Sequence, residues 1–457
     1  MCISNTRTES LKPNKKKYKV LLIQATQYSS GKGDLCKQSR IYLPGLAFPL
    51  LASYAPDNWE IEIVLEVIEE IDFESNYDLV GIGAMGHAVF RAMDIADNFR
   101  SKGIPVFFGG YMASIVPDLV RDHCDSIIIG DGEVSFPQLL NDFEREGSIK
   151  QVYDNQLKTL ENLPLPQYEL LAKKPIGYML PVQAGRGCPY TCSFCSIACI
   201  YKGKYMLRPI DDVMRDITRI KELGFKRFLL IDDNIASEPK YLKELAARIK
   251  PMGMTWASQC TLQIAKDDEL LDAVYDSGCR ILSFGIESLS QEGLNKLNKA
   301  WVKTDRSAEL LKKIHVKGIL SATEMIVGTD GDTKESLEET ARFIIECKIP
   351  LPKFYVLTPL PGTDFYKQMK EQNRIIYEDM SMYTATKCVF QPKNFTEQEL
   401  DNAYWRLYNE VYTLSNIFKR TIFSPHFFKA PLEYLFSFFA NMVYRNSLRN
   451  GNAPNIL

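Results

Sequence analysis

Three cysteines, Cys188, Cys192 and Cys195, stand in the run GRGCPYTCSFC with CxxxCxxC spacing, and Cys199 follows four residues later. A thiolate is both a nucleophile and a soft metal ligand. Three thiolates in one tight loop can hold three irons of a [4Fe–4S] cluster and leave the fourth iron open. An open iron is a Lewis-acid site that can chelate a substrate and deliver an electron to it. Gly185 and Gly187 let the loop wrap a cluster, and Phe194 can shield it from water. Structural zinc usually takes four ligands, commonly as paired CxxC units; Cys199 could complete such a set, but no second pair exists. A bacterial-type ferredoxin run has its own four-cysteine spacing, usually with a companion run, and neither is present. Four incidental cysteines would not explain this spacing at the end of a strand. The open cluster is the reading that remains, with Cys199 a bystander. The other seven of the eleven cysteines, Cys2, Cys36, Cys124, Cys260, Cys279, Cys347 and Cys388, are scattered singly, and most read as small buried hydrophobes.

The elements that must position this loop follow from the hydrophobic pattern. Residues 1–17 read as a flexible, Lys-rich lead-in. From Tyr18 the chain alternates strand, loop and helix. KVLLIQA (19–25), IEIVLEV (61–67), DLVGIGA (78–84), IPVFFGG (104–110) and SIIIGDG (126–132) read as strands, with helices at 46–55, 88–103 and 137–147. Such alternation means a parallel sheet with helices on both faces, whose binding crevice lies at the carboxyl ends of the strands. Those ends carry Gly81 and Gly83, Gly109 and Gly110, and Gly130 and Gly132, which let a nucleotide-like ligand approach the backbone. Residues 151–180, with Pro164, Pro166 and Pro175, read as a linker. A second series follows, with strands at 182–187, 227–234, 254–260, 280–288, 320–328 and 353–362 and amphipathic helices at 211–224 and 240–253. The expected fold is α/β: a Rossmann-like doubly wound parallel sheet over 18–150, a partial (β/α)6 barrel over 181–375, and a helical, aromatic-rich extension over 376–457.

Composition limits the alternatives. Among 457 residues, 46% are hydrophobic and 25% charged, which excludes wholesale disorder and a fibrous rod. Lys and Arg number 55 against 57 Asp and Glu, so no broad basic field exists for nucleic acid. No run approaches the roughly 20 apolar residues of a spanning helix. The N-terminus is polar and basic without an apolar core, so no secretory signal is read and a cytoplasmic location is expected. Cysteines in that setting fit metal or redox chemistry better than disulfides.

CxxxCxxC with an aromatic before its third cysteine, opening a βα barrel, resembles the radical S-adenosylmethionine (SAM) enzymes. LLIDDNI (229–235), GIESLS (285–290), MIVGTDGDT (325–333) and LTPLPGTDFY (357–366) resemble those with an N-terminal cobalamin-binding domain, leaning toward the hopanoid C-2 methylase group. The similarity covers roughly residues 18–415 and does not specify a substrate. The resemblance implies a [4Fe–4S] cluster on Cys188, Cys192 and Cys195, with SAM chelating the open iron. Asp232, Asp233 or Asn234 would occupy the place that meets the SAM amino group, although Asp232 also reads as a buried helix cap. Glu287 and Ser288 would meet the ribose hydroxyls and carboxylate. A Glu in an apolar strand end independently calls for a buried polar partner. Gly328 and the loop to Asp332 would line the adenine side, with Leu357, Thr358 and Pro359 on the next strand end. In the first half, LPGLAFPLLAS (43–53), GAMGHAVFRA (83–92), GGYMAS (109–114) and GDGEVSFPQLL (130–140) match the cobalamin domain. The implied cobalamin-binding residues are Gly109, Gly110, Gly130, Gly132 and Glu133. DxHxxG is absent, and His87 reads as a loop residue rather than a cobalt ligand.

The implied activity is cleavage of SAM to a 5′-deoxyadenosyl radical, then methylation of an unactivated carbon on a lipid, isoprenoid or other secondary metabolite. A reducing partner of the flavodoxin or ferredoxin type is implied. Rival readings are a radical cyclase or C–C bond-forming enzyme, a non-catalytic cobalamin sensor, and an RNA methylthiotransferase, which would need an RNA-binding module that the chain does not carry. From Tyr404 to Tyr444 there are thirteen aromatic residues, and beyond Ser415 five Lys and Arg against Glu433 alone. This tail reads first as a helical lid completing the core, and second as a peripheral membrane contact.

Overall fold

The computed structural model describes residues 16–28 and 33–454. Most of the expected lead-in, with Cys2, lies outside the described residues. Two six-stranded parallel sheets organise the chain. The first comprises β1 (Tyr18–Gln24), β2 (Trp59–Leu65), β3 (Leu79–Gly83), β4 (Val106–Gly109), β5 (Ser126–Gly130) and β6 (Val152–Asn155), in the order β2-β1-β3-β4-β5-β6. Alternate residues of β1 enter different cores, Val20 and Leu22 one and Leu21 and Ile23 the other, so helices cover both faces. The chain reverses direction across the sheet between β1 and β3, the point where such sheets hold ligands. Residues 152–155, expected in the linker, are the sixth strand. Only Tyr153 of the four is buried, so this short edge strand has no apolar run to announce it.

The chain then forms β7 (Met179–Val182), β8 (Gly185–Gly187), β9 (Tyr205–Leu207), β10 (Arg227–Leu230), β11 (Thr255–Cys260), β12 (Cys279–Glu287), β13 (Leu320–Val327) and β14 (Leu351–Val356). The second sheet is β14-β13-β12-β11-β10-β7, a sequential parallel sheet whose edges are β7 and β14. The α/β class and the open six-stranded barrel are therefore as expected. The expected first barrel strand, 182–187, is divided. β7 ends at Val182, and Gly185–Gly187 pairs antiparallel with β9. Gly187 turns the chain at φ +85°, where a Cβ would lie 2.3 Å from the Lys204 carbonyl oxygen.

The tail closes the barrel at two places. Helix Glu397–Val411 covers the open edge of β14 with phenols one turn apart. The Tyr408 hydroxyl accepts from the Phe354 N–H at 2.9 Å and donates to the Phe354 carbonyl at 3.1 Å, while Tyr412 donates to Pro352. An edge strand's unpaired groups are thereby satisfied. Helix Pro431–Arg449 packs Tyr434 against Leu320 and Leu351, the first residues of β13 and β14. The aromatic tail completes the core as expected, but this helix seals the N-terminal end of the barrel rather than covering its mouth.

Candidate functional site

Gly187 leads into the loop that carries Cys188 and Cys192 and ends at Cys195, the first residue before helix Ser196–Tyr201. The loop is pinned on two sides: the Ser193 N–H donates to the Leu297 carbonyl at 3.0 Å, and the Phe365 N–H donates to the Ser193 carbonyl at 2.8 Å. Tyr190 stacks on Trp301 at 3.8 Å, while Phe194, the expected shield, packs into the core. Cys188, Cys192 and Cys195 are free thiols whose charges act on one another. Burial pushes all three upward, Cys192 to about 12 against the pull of the Lys299 ammonium. Backbone N–H groups of Ala198 and Ile197 favour the Cys195 thiolate. Cys199 is turned away, its Sγ donating to the Gly362 carbonyl at 2.9 Å. Among the described residues no three His, Cys, Asp or Glu side chains form a single-ion site. Cys188, Cys192 and Cys195 are three unpaired soft thiols in one pinned loop, a donor set that fits a cluster held through three irons.

Beside the thiols lies a buried ion pair that the sequence motifs did not reveal. Glu287 ends β12 at φ +65°, a left-handed conformation costing a non-glycine residue roughly 1–3 kcal/mol. Its Oε1 accepts from Lys299 Nζ at 2.6 Å, and Lys299 donates also to the Gly285 carbonyl at 2.8 Å. A Cβ on Gly285 would stand 2.4 Å from Glu287 Oε1, so that glycine makes room for the pair. Burial pulls the Lys299 ammonium down, but the Glu287 carboxylate, by charge and hydrogen bond, holds it above its ordinary value. The polar partner demanded by Glu287 is thus Lys299. It sits twelve residues downstream in a segment with a second lysine, Lys296, and no local pattern tells the two apart.

The IDDN acids divide their roles. Asp232 is buried; one oxygen accepts from the Ala184 N–H at 3.2 Å, the other has no partner, and burial pushes its carboxyl to about 8. Asp233 is less enclosed, accepts from the Gly187 N–H at 3.0 Å, and acts electrostatically on Cys188 and Cys195. Burial raises its carboxyl to about 6. Asn234 is buried and accepts from the Thr261 N–H at 3.2 Å. Of the three, Asp233 is the side chain brought to the thiols, and both aspartates clamp the β8 segment that launches the loop.

Past β12 and β13 a second knot forms. Asp332 Oδ2 accepts from the N–H groups of Gly328 and Thr329, both at 2.8 Å, and Ser288 Oγ donates to Oδ1 at 3.3 Å. Burial raises Asp332 to about 6. Ser288, Gly328 and Asp332 therefore form one unit, with the buried Thr329 hydroxyl left without a partner. Thr358 lies at the end of β14, its hydroxyl donating to the Val356 carbonyl at 2.9 Å.

In the first sheet, Gly109 and Gly110 end β4, and Ser114 ties two strand ends together by donating to the Gly110 carbonyl and accepting from the Gly130 N–H. A Cβ on Gly110 would meet nothing within 4 Å, so the backbone there faces open space. Gly132 packs against Leu51, and Glu133 is engaged elsewhere. Arg186, between the two ribbon glycines, donates to Glu133 Oε1 at 2.5 Å and to Asp131 Oδ1 at 2.7 Å. The Glu133 side chain thus braces the cysteine-bearing ribbon against the first sheet, leaving a ligand its backbone alone. Tyr111 meets Ser196 and lies within electrostatic reach of Cys195, so the first sheet's strand ends face the cysteine loop. His87 hydrogen bonds through Nε2 with the Ser381 carbonyl at 2.7 Å, as a loop residue would.

Residues 182–344 match the model of the radical SAM superfamily. The chain is 31% identical over 354 residues to a bacteriochlorophyllide d C-12(1)-methyltransferase of Chlorobaculum tepidum, covering 76% of this chain and 77% of that one. It is 26% identical to the hopanoid C-2 methylase of Rhodopseudomonas palustris, covering 74% and 66%. Among solved structures, the radical S-adenosylmethionine methyltransferase TsrM of Kitasatospora setae, with cobalamin and a [4Fe–4S] cluster bound, shares the fold. Its TM-score is 0.65 at 17% identity, over 78% of each chain.

Proposed function

We propose that this chain, which belongs to the radical SAM enzymes with an N-terminal cobalamin-binding domain, transfers a methyl group to an unactivated carbon. The observation that carries the reading is the set of three free thiols beside Asp233 and the Glu287–Lys299 pair, facing the glycine-rich strand ends of the first sheet. When bound, a cluster on Cys188, Cys192 and Cys195 supplies the electron that cleaves SAM, and cobalamin at the first sheet supplies the methyl carrier. The chain's own residues bind and orient. Asp233 presents a carboxylate to an ammonium group. Ser288 and the Gly328–Asp332 knot offer a fixed polar wall, and Glu287 is held in place by Lys299. Gly109, Gly110 and Gly130 present backbone to the carrier.

Relatives acting on bacteriochlorophyllide and hopanoids favour a large, mostly apolar substrate, either an isoprenoid or a tetrapyrrole. A flavodoxin- or ferredoxin-type protein would deliver the electron. The C-terminal region contacts a membrane peripherally in this reading, on the strength of its exposed aromatic side chains; no helix among the described residues is long and apolar enough to cross one. The test is anaerobic turnover with SAM, reductant and such substrates. Formation of S-adenosylhomocysteine with a methylated product is expected. Release of 5′-deoxyadenosine without S-adenosylhomocysteine would replace methyl transfer by cyclisation or rearrangement.

A further inference from the structure

We infer that the outward face of helix Pro431–Arg449, with the turn preceding it, binds a lipid bilayer surface that contains anionic lipid. This deepens the proposed membrane contact and does not depend on methyl transfer. A helix on a protein surface turns its apolar stripe inward and its polar face to water. Here an apolar stripe faces outward as well. The buried positions are Tyr434, Ser437, Asn441, Tyr444 and Leu448, and they are needed inside. Asn441 Oδ1 accepts from Arg420 Nη2 at 2.9 Å, and Asn441 Nδ2 donates to the Pro350 carbonyl at 2.8 Å, so its amide partners one nitrogen of a wholly buried guanidinium.

The outward positions Leu432, Phe436, Phe439 and Val443 recur in steps of four, three and four, forming one stripe. Phe428, 90% exposed, and Phe423, 71% exposed, come from the turn before the helix. Phe423, Phe428 and Phe439 touch the neighbouring rings of Phe418, Phe427 and Phe438 yet stay largely exposed, and a contiguous exposed apolar patch marks an interaction site. Its charges choose the occupant. Lys429, in the turn beside Phe428, and Arg449, on one flank of the stripe, stand against Glu433 on the other flank, and among the described residues none of the three forms an ion pair. A symmetric second copy would set these cations against one another. An anionic lipid surface complements them, and aromatic side chains flanked by Lys and Arg suit a helix lying in the interface plane. Because the helix packs on the first residues of β13 and β14, the carboxyl strand ends with the cysteine loop lie at the far end of the barrel from the lipid.

The full-length protein is sedimented with phosphatidylcholine vesicles and with phosphatidylcholine–phosphatidylglycerol vesicles at low and high salt. The expected result is binding that is stronger with phosphatidylglycerol and weakened by salt. A variant carrying Phe428→Ser, Leu432→Ser, Phe436→Ser and Phe439→Ser, all exposed and compatible with folding, should bind at least about tenfold more weakly. Lys429→Glu with Arg449→Glu should remove the preference for anionic lipid. Failure of the wild type to bind either vesicle, or undiminished binding by the serine variant, overturns the inference. So does concentration-dependent dimerisation in sedimentation velocity that the serine variant abolishes, which would assign the face to a second copy. Methyl transfer is assayed separately in detergent-free solution, so loss of lipid binding with intact turnover leaves the proposed function standing.

Discussion

At the carboxyl ends of the first sheet the chain offers backbone: Gly109 and Gly110 after β4, Gly130 at the end of β5, with Ser114 tying them together. At the carboxyl ends of the second it offers side chains: three thiols, the buried Asp232 and half-buried Asp233, Asn234, a strained Glu287 with its lysine, and the Asp332 knot. The two sheets have the same number of strands and the same parallel sense, yet only the first reverses its strand order. A reversal opens a crevice in which a large flat ligand can lie on backbone. A sequential open barrel instead gathers side chains from six successive strand ends around one mouth. Each geometry suits what it is proposed to hold, a corrinoid in one case and a cluster with SAM in the other.

Substitutions that separate the two ends sharpen this contrast. Cys192→Ala has the largest expected effect: iron content and SAM cleavage are abolished while cobalamin still binds. Methionine release that survives the substitution would refute the site. Lys299→Met leaves the Glu287 carboxylate buried without its cation and should cost about 3–5 kcal/mol in denaturant unfolding of the apo protein. An unchanged midpoint would show that the pair does not hold the second sheet's mouth together. Gly130→Ala forces a Cβ to 2.4 Å from the Asn155 carbonyl oxygen at φ +81°. A loss of about 1–3 kcal/mol is expected, with reduced cobalamin retention and a full iron complement. Equal loss of both cofactors would break the comparison.

The mouths were legible in the sequence to different degrees. The cysteine loop was legible because thiol chemistry demands a spacing that chance rarely supplies, and the strand ends because apolar β-branched runs stop at glycines in the first sheet and at acids such as Asp232 and Glu287 in the second. The strand at 152–155 was not, since an edge strand with one buried residue leaves no pattern. Lys299 and Arg186 were missed for a shared reason. Each is defined by a partner brought near only by folding, Glu287 in one case and Asp131 with Glu133 in the other. The tyrosines of the tail were visible as aromatics, but their hydroxyls bonding to β14 could not be foreseen from composition.

The smallest expected effect lies far from both mouths, at the barrel's N-terminal end. His315 is buried beside His426, its Nε2 bonded to Ser321 Oγ at 2.7 Å, and burial lowers its pKa from 6.5 to about 3. The unfolded chain therefore binds a proton that the folded chain refuses between those values. Stability attributable to His315 is complete above pH 6.5 and falls as the pH drops, by about 1.4 kcal/mol per unit. Unfolding of wild type and His315→Gln at pH 7 and pH 5 checks the sign: the variant should lose less stability on acidification. An equal loss in both would remove His315 from the account.

The most direct test of the central claim is to purify the full chain anaerobically from cells supplied with cobalamin and quantify iron, sulfide and cobalamin in one sample. Two mouths with separate cofactors predict about four irons and four sulfides per chain together with about one cobalamin. A preparation with cobalamin but no cluster would contradict the account at its centre.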